Sequence, residues 1–119
     1  MHANRVKIPL PQRPTCPADA SLEVAAEFAR LVKLMDARAT EADEITLLML
    51  ATSWLTWRRA TAEVAKLGNV VMSGGTAIAN PSLSVAHQAH GQIVTLCKEL
   101  GLTAASRKKL APTEYPDDE

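Results

Sequence analysis

Aromatic side chains are scarce in this sequence: one Phe, one Tyr and two Trp stand among 119 residues. A core must then be built from aliphatic side chains at short range, which favours helices packed closely on one another. Only two cysteines occur, Cys16 and Cys97, far apart and without CxxC spacing. That pattern indicates neither a disulfide framework nor a zinc site, and predicts free thiols in a reducing compartment. No stretch approaches the roughly 18 consecutive apolar residues of a membrane span. No apolar run long enough for a signal peptide precedes Pro9, so a cytoplasmic protein is expected. The glycine turn "SGGTA" lacks the Gly-Lys-Ser/Thr of a phosphate loop. His87 and His90, three apart, have no third histidine or carboxylate beside them, so no metal is expected. No spacing suggests a Ser-His-Asp set or paired catalytic carboxylates; the expectation is a protein that is not an enzyme and needs no cofactor.

Charge is present but balanced, 13 Lys plus Arg against 13 Asp plus Glu, so the whole chain has no long-range field to draw it to a polyanion. Its distribution divides the chain into three parts. Residues 1–18 hold Pro9, Pro11, Pro14 and Pro17 with Arg5, Lys7 and Arg13, and read as an extended basic arm. Two readings of that arm stay open: a disordered leader, or a basic segment reaching a neighbouring subunit or DNA. Residues 19–111 form one domain long enough to bury roughly two-thirds of its unfolded surface. Residues 112–119, "PTEYPDDE", are an acidic tail that reads as an untethered solubilising segment, with docking to a large partner subunit or screening of a basic surface as the alternatives.

Within the domain, apolar spacing predicts a helix over Leu22 to Met35, capped by Asp19 or Ser21, with Leu22, Ala25, Phe28 or Ala29, Val32 and Met35 on one stripe. Thr40 and Asp43 have the spacing of a capping box. From there a second helix is expected to run without Gly or Pro to Leu67 and stop at Gly68. Its first half, "ITLLMLATSWLTW", is uncharged on every face, and so few helices in one chain cannot cover it; burial by another subunit is the economical expectation. "NVVM" and "TAIA" around a glycine turn predict a β-hairpin. Asn80 and Pro81 then form a cap and first-turn pair opening a third helix to Leu100, with Leu83, Ala86, His90, Ile93, Leu96 or Cys97, and Leu100 at helical spacing. A short last helix, "AASRKKL", follows Thr103. No Asp, Glu, Lys or Arg appears from Asn69 to Cys97, so the hairpin reads as a contact surface.

The stretch from Thr40 to Leu110 resembles the phage terminase small subunit family. The likeness rests on the "TEAD" helix start, the long helix ending in "LG", the glycine-turn connector, "NP" opening the next helix and, most specifically, "LGLTAASRKKL". It extends over about residues 17–112. The resemblance implies an all-α, ring-forming fold: a long antiparallel helical hairpin with an N-terminal helix, a short C-terminal helix and a small β-hairpin in the connector. It implies a homo-oligomer of about eight to eleven copies. It implies further that the protein recognises double-stranded viral DNA in the bacterial host cytoplasm to initiate genome packaging, and regulates the large terminase subunit, which supplies ATPase and nuclease. The alternative is an oligomeric, non-catalytic helical DNA-binding regulator or adaptor.

The candidate phosphate contacts are Arg58, Arg59 and Lys66 on the second helix, Arg107, Lys108 and Lys109 near the end, and Arg5 and Lys7 in the arm. The competing explanation for the helix-two cations is a solvated helix end whose charges complement the dipole. Candidate oligomer contacts are Leu48, Trp54, Leu55 and Trp57 in the uncharged run, with Val71 and Ile78 in the hairpin.

Overall fold

The computed structural model describes residues 12–103. Helix α1 spans Leu22–Met35, α2 Glu44–Leu67 and α3 Pro81–Glu99, with strands β1 (Val70–Ser73) and β2 (Thr76–Ala79) between α2 and α3. Two single 3-10 turns, Asp36–Arg38 and Glu41–Asp43, join α1 to α2.

Local chemistry sets most of the boundaries. The Ser21 hydroxyl accepts from the Val24 amide and opens α1. Thr40 and Asp43 form the expected capping box, but the residues between them turn as 3-10, so α2 begins at Glu44 rather than Thr40. Gly68 closes α2, and the Asn80 side chain accepts from Ser82 N–H with Pro81 in the first turn of α3. The strands pair antiparallel, Val70 opposite Ala79 and Ser73 opposite Thr76, across a two-residue turn. Gly74 and Gly75 have φ of 58° and 80°. Two consecutive positive φ values are what a type I′ hairpin turn requires, and adjacent glycines supply them without steric cost.

Helix α2 is the spine, 24 residues or about 36 Å long. Both other helices run antiparallel to it. Glu23 meets Arg59 and Arg30 lies over Trp54 on the α1 side, while Ser53 meets Gln92 and Gly68 meets Asn80 on the α3 side. The Cα frame is only 16 Å thick along its thinnest principal axis, so the helices form essentially one layer.

The core lies at one pole, where α1 ends, α2 begins and α3 ends. Phe28, Leu31, Met35, Ala39, Leu47, Leu50, Ala51, Leu96 and Leu100 make one buried cluster, with Leu47 fully enclosed. Arginines fasten this pole: Arg38 donates to the carbonyls of Leu100 and Gly101, and Arg13 to those of Asp36 and Ala39. Residues 12–17 have no regular secondary structure, yet they are tied to the same corner by Glu41 N–H to Gln12 O and Thr15 N–H to a Glu44 carboxylate oxygen. Towards the hairpin the buried apolar residues shrink to Ala60 and Ala89, which let α2 and α3 approach closely.

Two stripes differ from the sequence expectation. On α1, Leu22 is 89% exposed, and the buried set is Glu27, Phe28, Leu31 and Met35. The helix is rotated so that the row through residues 28, 31 and 35 meets α2. Glu27 is tolerated there because Arg30 satisfies its carboxylate. On α3, Leu83 and His90 face outward and Ala89 takes the buried position opposite α2. The short helix expected after Thr103 lies outside the described residues.

Candidate nucleic-acid and assembly interface

The cationic half of α2 lies beyond the packed pole. Arg58, Arg59 and Lys66 are all exposed. Arg59 and Lys66 are seven residues apart and so nearly on one face, while Arg58 is about 100° from Arg59. Arg59 is not free: its guanidinium makes a 2.6 Å ion pair with Glu23 of α1, both side chains about two-thirds exposed. An exposed pair of this kind contributes at most about 1 kcal/mol, so a phosphate can displace the carboxylate. Glu63, also exposed, lies on the same helix. The local balance is therefore three cations against two carboxylates. Arg5, Lys7, Arg107, Lys108 and Lys109 lie outside the described residues.

The candidate assembly residues divide into two groups. Leu48, Trp54, Leu55 and Trp57 are half-buried within the chain, and Leu48 packs against the core cluster. The Trp54 and Trp57 rings stack with centroids 5.5 Å apart, and the Arg30 guanidinium sits 6.0 Å above Trp54. The bond from Glu27 holds the Arg30 charge even more firmly than usual. These tryptophans therefore already have partners inside one chain. The hairpin has far fewer: Val71 is half-buried, and Val70, Met72 and Ile78 are exposed, Met72 at 68%.

Several apolar residues that were not among the candidate assembly contacts are also open to solvent. Ile45 and Met49 on α2 are 74% and 52% exposed, and Leu67, Leu83, Val85 and Val94 add to an apolar surface on the thin pole and α3. Within the uncharged run Leu47, Leu50 and Ala51 are covered, while Ile45 and Met49 lie outside that buried face. The signal for them was present in that run, but which members face outward depends on where α1 docks.

Cys16 and Cys97 are free and half-buried, and burial pushes the Cys97 thiol pKa up, which makes it a poor nucleophile. Among the described residues, no group of three or more His, Cys, Asp or Glu converges as a metal site would require. No described helix is long and apolar enough to cross a membrane.

The family described as phage terminase, small subunit, matches residues 25–117, most of the chain. The protein belongs to the phage terminase small subunit family. Its role is therefore in phage DNA packaging, alongside the large terminase subunit. The match takes in α1 from Ala25, all of α2, the hairpin and α3, so the cationic half of α2 and the uncharged hairpin are both family territory. No curated protein and no solved structure matches the chain.

Proposed function

We propose that this protein is the DNA-recognising component of a packaging terminase, working as a closed homo-oligomeric ring in the host cytoplasm and regulating the ATPase and nuclease of the large subunit. The observation that carries this reading is the uncharged, exposed hairpin on the thin pole, with Val70, Met72 and Ile78 in solvent. A two-stranded ribbon is marginal in water by itself, and three exposed apolar side chains on it call for a covering surface. Repetition of one chain around an axis supplies that surface. It also multiplies a weak phosphate contact by the copy number, which a chain with no net charge needs in order to hold DNA.

In this reading Arg58, Arg59 and Lys66 contact the duplex backbone, with Arg5, Lys7, Arg107, Lys108 and Lys109 adding further phosphate contacts. The ion pair between Glu23 and Arg59 competes with DNA. The test is the salt dependence of binding to a duplex fragment, read by fluorescence anisotropy. Arg58→Ala with Arg59→Ala is expected to reduce the slope of log affinity against log salt by about 0.9 for every phosphate the variant no longer neutralises. Glu23→Gln, which releases Arg59, is expected to tighten binding at low salt. Unchanged slope and affinity in both variants would remove α2 from the DNA interface.

A further inference from the structure

On the side of α2 away from α1, the helices α2 and α3 leave an open groove of about 1100 Å³. Met49 and Thr52 line it from α2, and Gln88, Gly91 and Thr95 from α3. Among the described residues, Glu99, at the C-terminal end of α3, is the one acidic residue that lines it, and no Lys or Arg does. Gly91 stands in the middle of α3, where a Cβ would meet nothing within 4 Å. Glycine inside a helix is less stable than alanine, and no neighbour among the described residues accounts for it here. A second helix lying close over Gly91 would.

The chain's own α1 is held away from this groove. It docks on α2 through the cluster containing Leu47 and Ala51, and Ala51 points about 200° around the helix from Met49. The outward face of α1 is a smooth row at helical spacing, Leu22, Ala26, Ala29 and Lys33, all exposed. Lys33 ends that row, and neither Lys33 nor Glu99 has an ion-pair partner among the described residues. The two surfaces match in length. Leu22 to Lys33 and Gln88 to Glu99 each span 11 residue steps, about 16 Å of helix.

Resting on the ring reading above, we propose that the outward face of α1 from one copy seats in the α2–α3 groove of the next. Lys33 lies against Glu99, Ala29 beside Thr95, Ala26 over Gly91 and Gln92, and Leu22 near Gln88. This pairing runs the two helices parallel. Within one chain α1 and α3 are already parallel, since each is antiparallel to α2. A rotation about an axis along the helices preserves that direction, whereas a two-fold axis across them reverses it. Two different faces in parallel contact are heterologous, the kind of contact that builds a ring with its axis along the helices when the rotation closes and an open filament when it does not.

The test uses the full chain in native mass spectrometry at low salt with four variants: Lys33→Glu, Glu99→Lys, the double exchange, and Gly91→Leu. Each single reversal is expected to raise the concentration needed for assembly at least tenfold, and the double exchange to restore it. Gly91→Leu is expected to raise the melting temperature of the separated subunit, since leucine is the better helix former, and yet to lower the assembled fraction. Assembly unaffected by Gly91→Leu, or charge reversals whose effects add without rescue, would overturn this pairing while leaving a ring built on other surfaces intact. A wild-type chain that is monomeric would remove the ring reading itself. If deleting residues 104–119 abolishes the effect of Gly91→Leu, the groove holds the chain's own terminal segment and the inter-subunit pairing is wrong.

Discussion

Asn80 joins the hairpin to both long helices, and its replacement offers the most quantitative check of the hairpin's root. The residue is 3% exposed. Its side-chain amide donates to the Gly68 carbonyl at 2.9 Å, and its side-chain oxygen accepts from Ser82 N–H at 3.0 Å. Its own N–H donates to the Asn69 carbonyl at 2.8 Å, a bond that no side-chain change removes. Asn80→Ala loses the helix cap, about 1 kcal/mol, and the bond to Gly68, about another 1 kcal/mol. The expected loss is therefore about 2 kcal/mol. Asn80→Asp keeps the capping acceptor and adds a favourable charge at the start of α3, but it cannot donate to Gly68. Its loss is expected to be about half as large. Urea unfolding followed by circular dichroism measures both, at several protein concentrations so that any assembly contribution is separated. Equal losses for the two variants, or a loss under about 0.5 kcal/mol for Asn80→Ala, would refute this description of the joint.

Asp36 has φ of 53° with ψ of −133°, a conformation open in practice only to glycine. Asp36→Gly keeps the carbonyl that Arg13 bonds, and is expected to stabilise the fold by about 1 kcal/mol in the same urea assay; a loss of stability would contradict the strain. Cys97, whose pKa burial raises, carries less thiolate than a free cysteine at pH 8. In a Cys16→Ser background its alkylation is expected to be slower than in urea and still rising at pH 9. A plateau below pH 8.5 would show a reactive thiol instead.

Capping chemistry made the helix ends legible, because Ser21, Thr40 with Asp43, Gly68, and Asn80 with Pro81 act within a few residues of chain. The adjacent glycines announced the hairpin for the same local reason. The rotation of α1 was not legible: rows through Leu22 and through Leu31 are both apolar, and only the docking on α2 decides between them. Long-range polar partners were hidden likewise. Nothing near Arg59 in sequence marks Glu23, 36 residues away, as its partner, and Glu27 gave no sign that it would be buried beneath Arg30. Of the candidate site, the charged block on the second half of α2 marked cations that stand in solvent, whereas the uncharged hairpin was read as a contact surface and is largely exposed within the single chain. The groove beside Gly91 did not, since a helical glycine reads the same whether or not something is packed on it.

Whether these chains close into a ring is decided by the mass of the particle in solution. For the wild-type chain at micromolar concentration, native mass spectrometry is expected to give one closed species at a fixed multiple of the 12.8 kDa subunit, and Ile78→Asp in the hairpin to shift mass to smaller species. A folded wild-type chain found only at the subunit mass would rule the ring out.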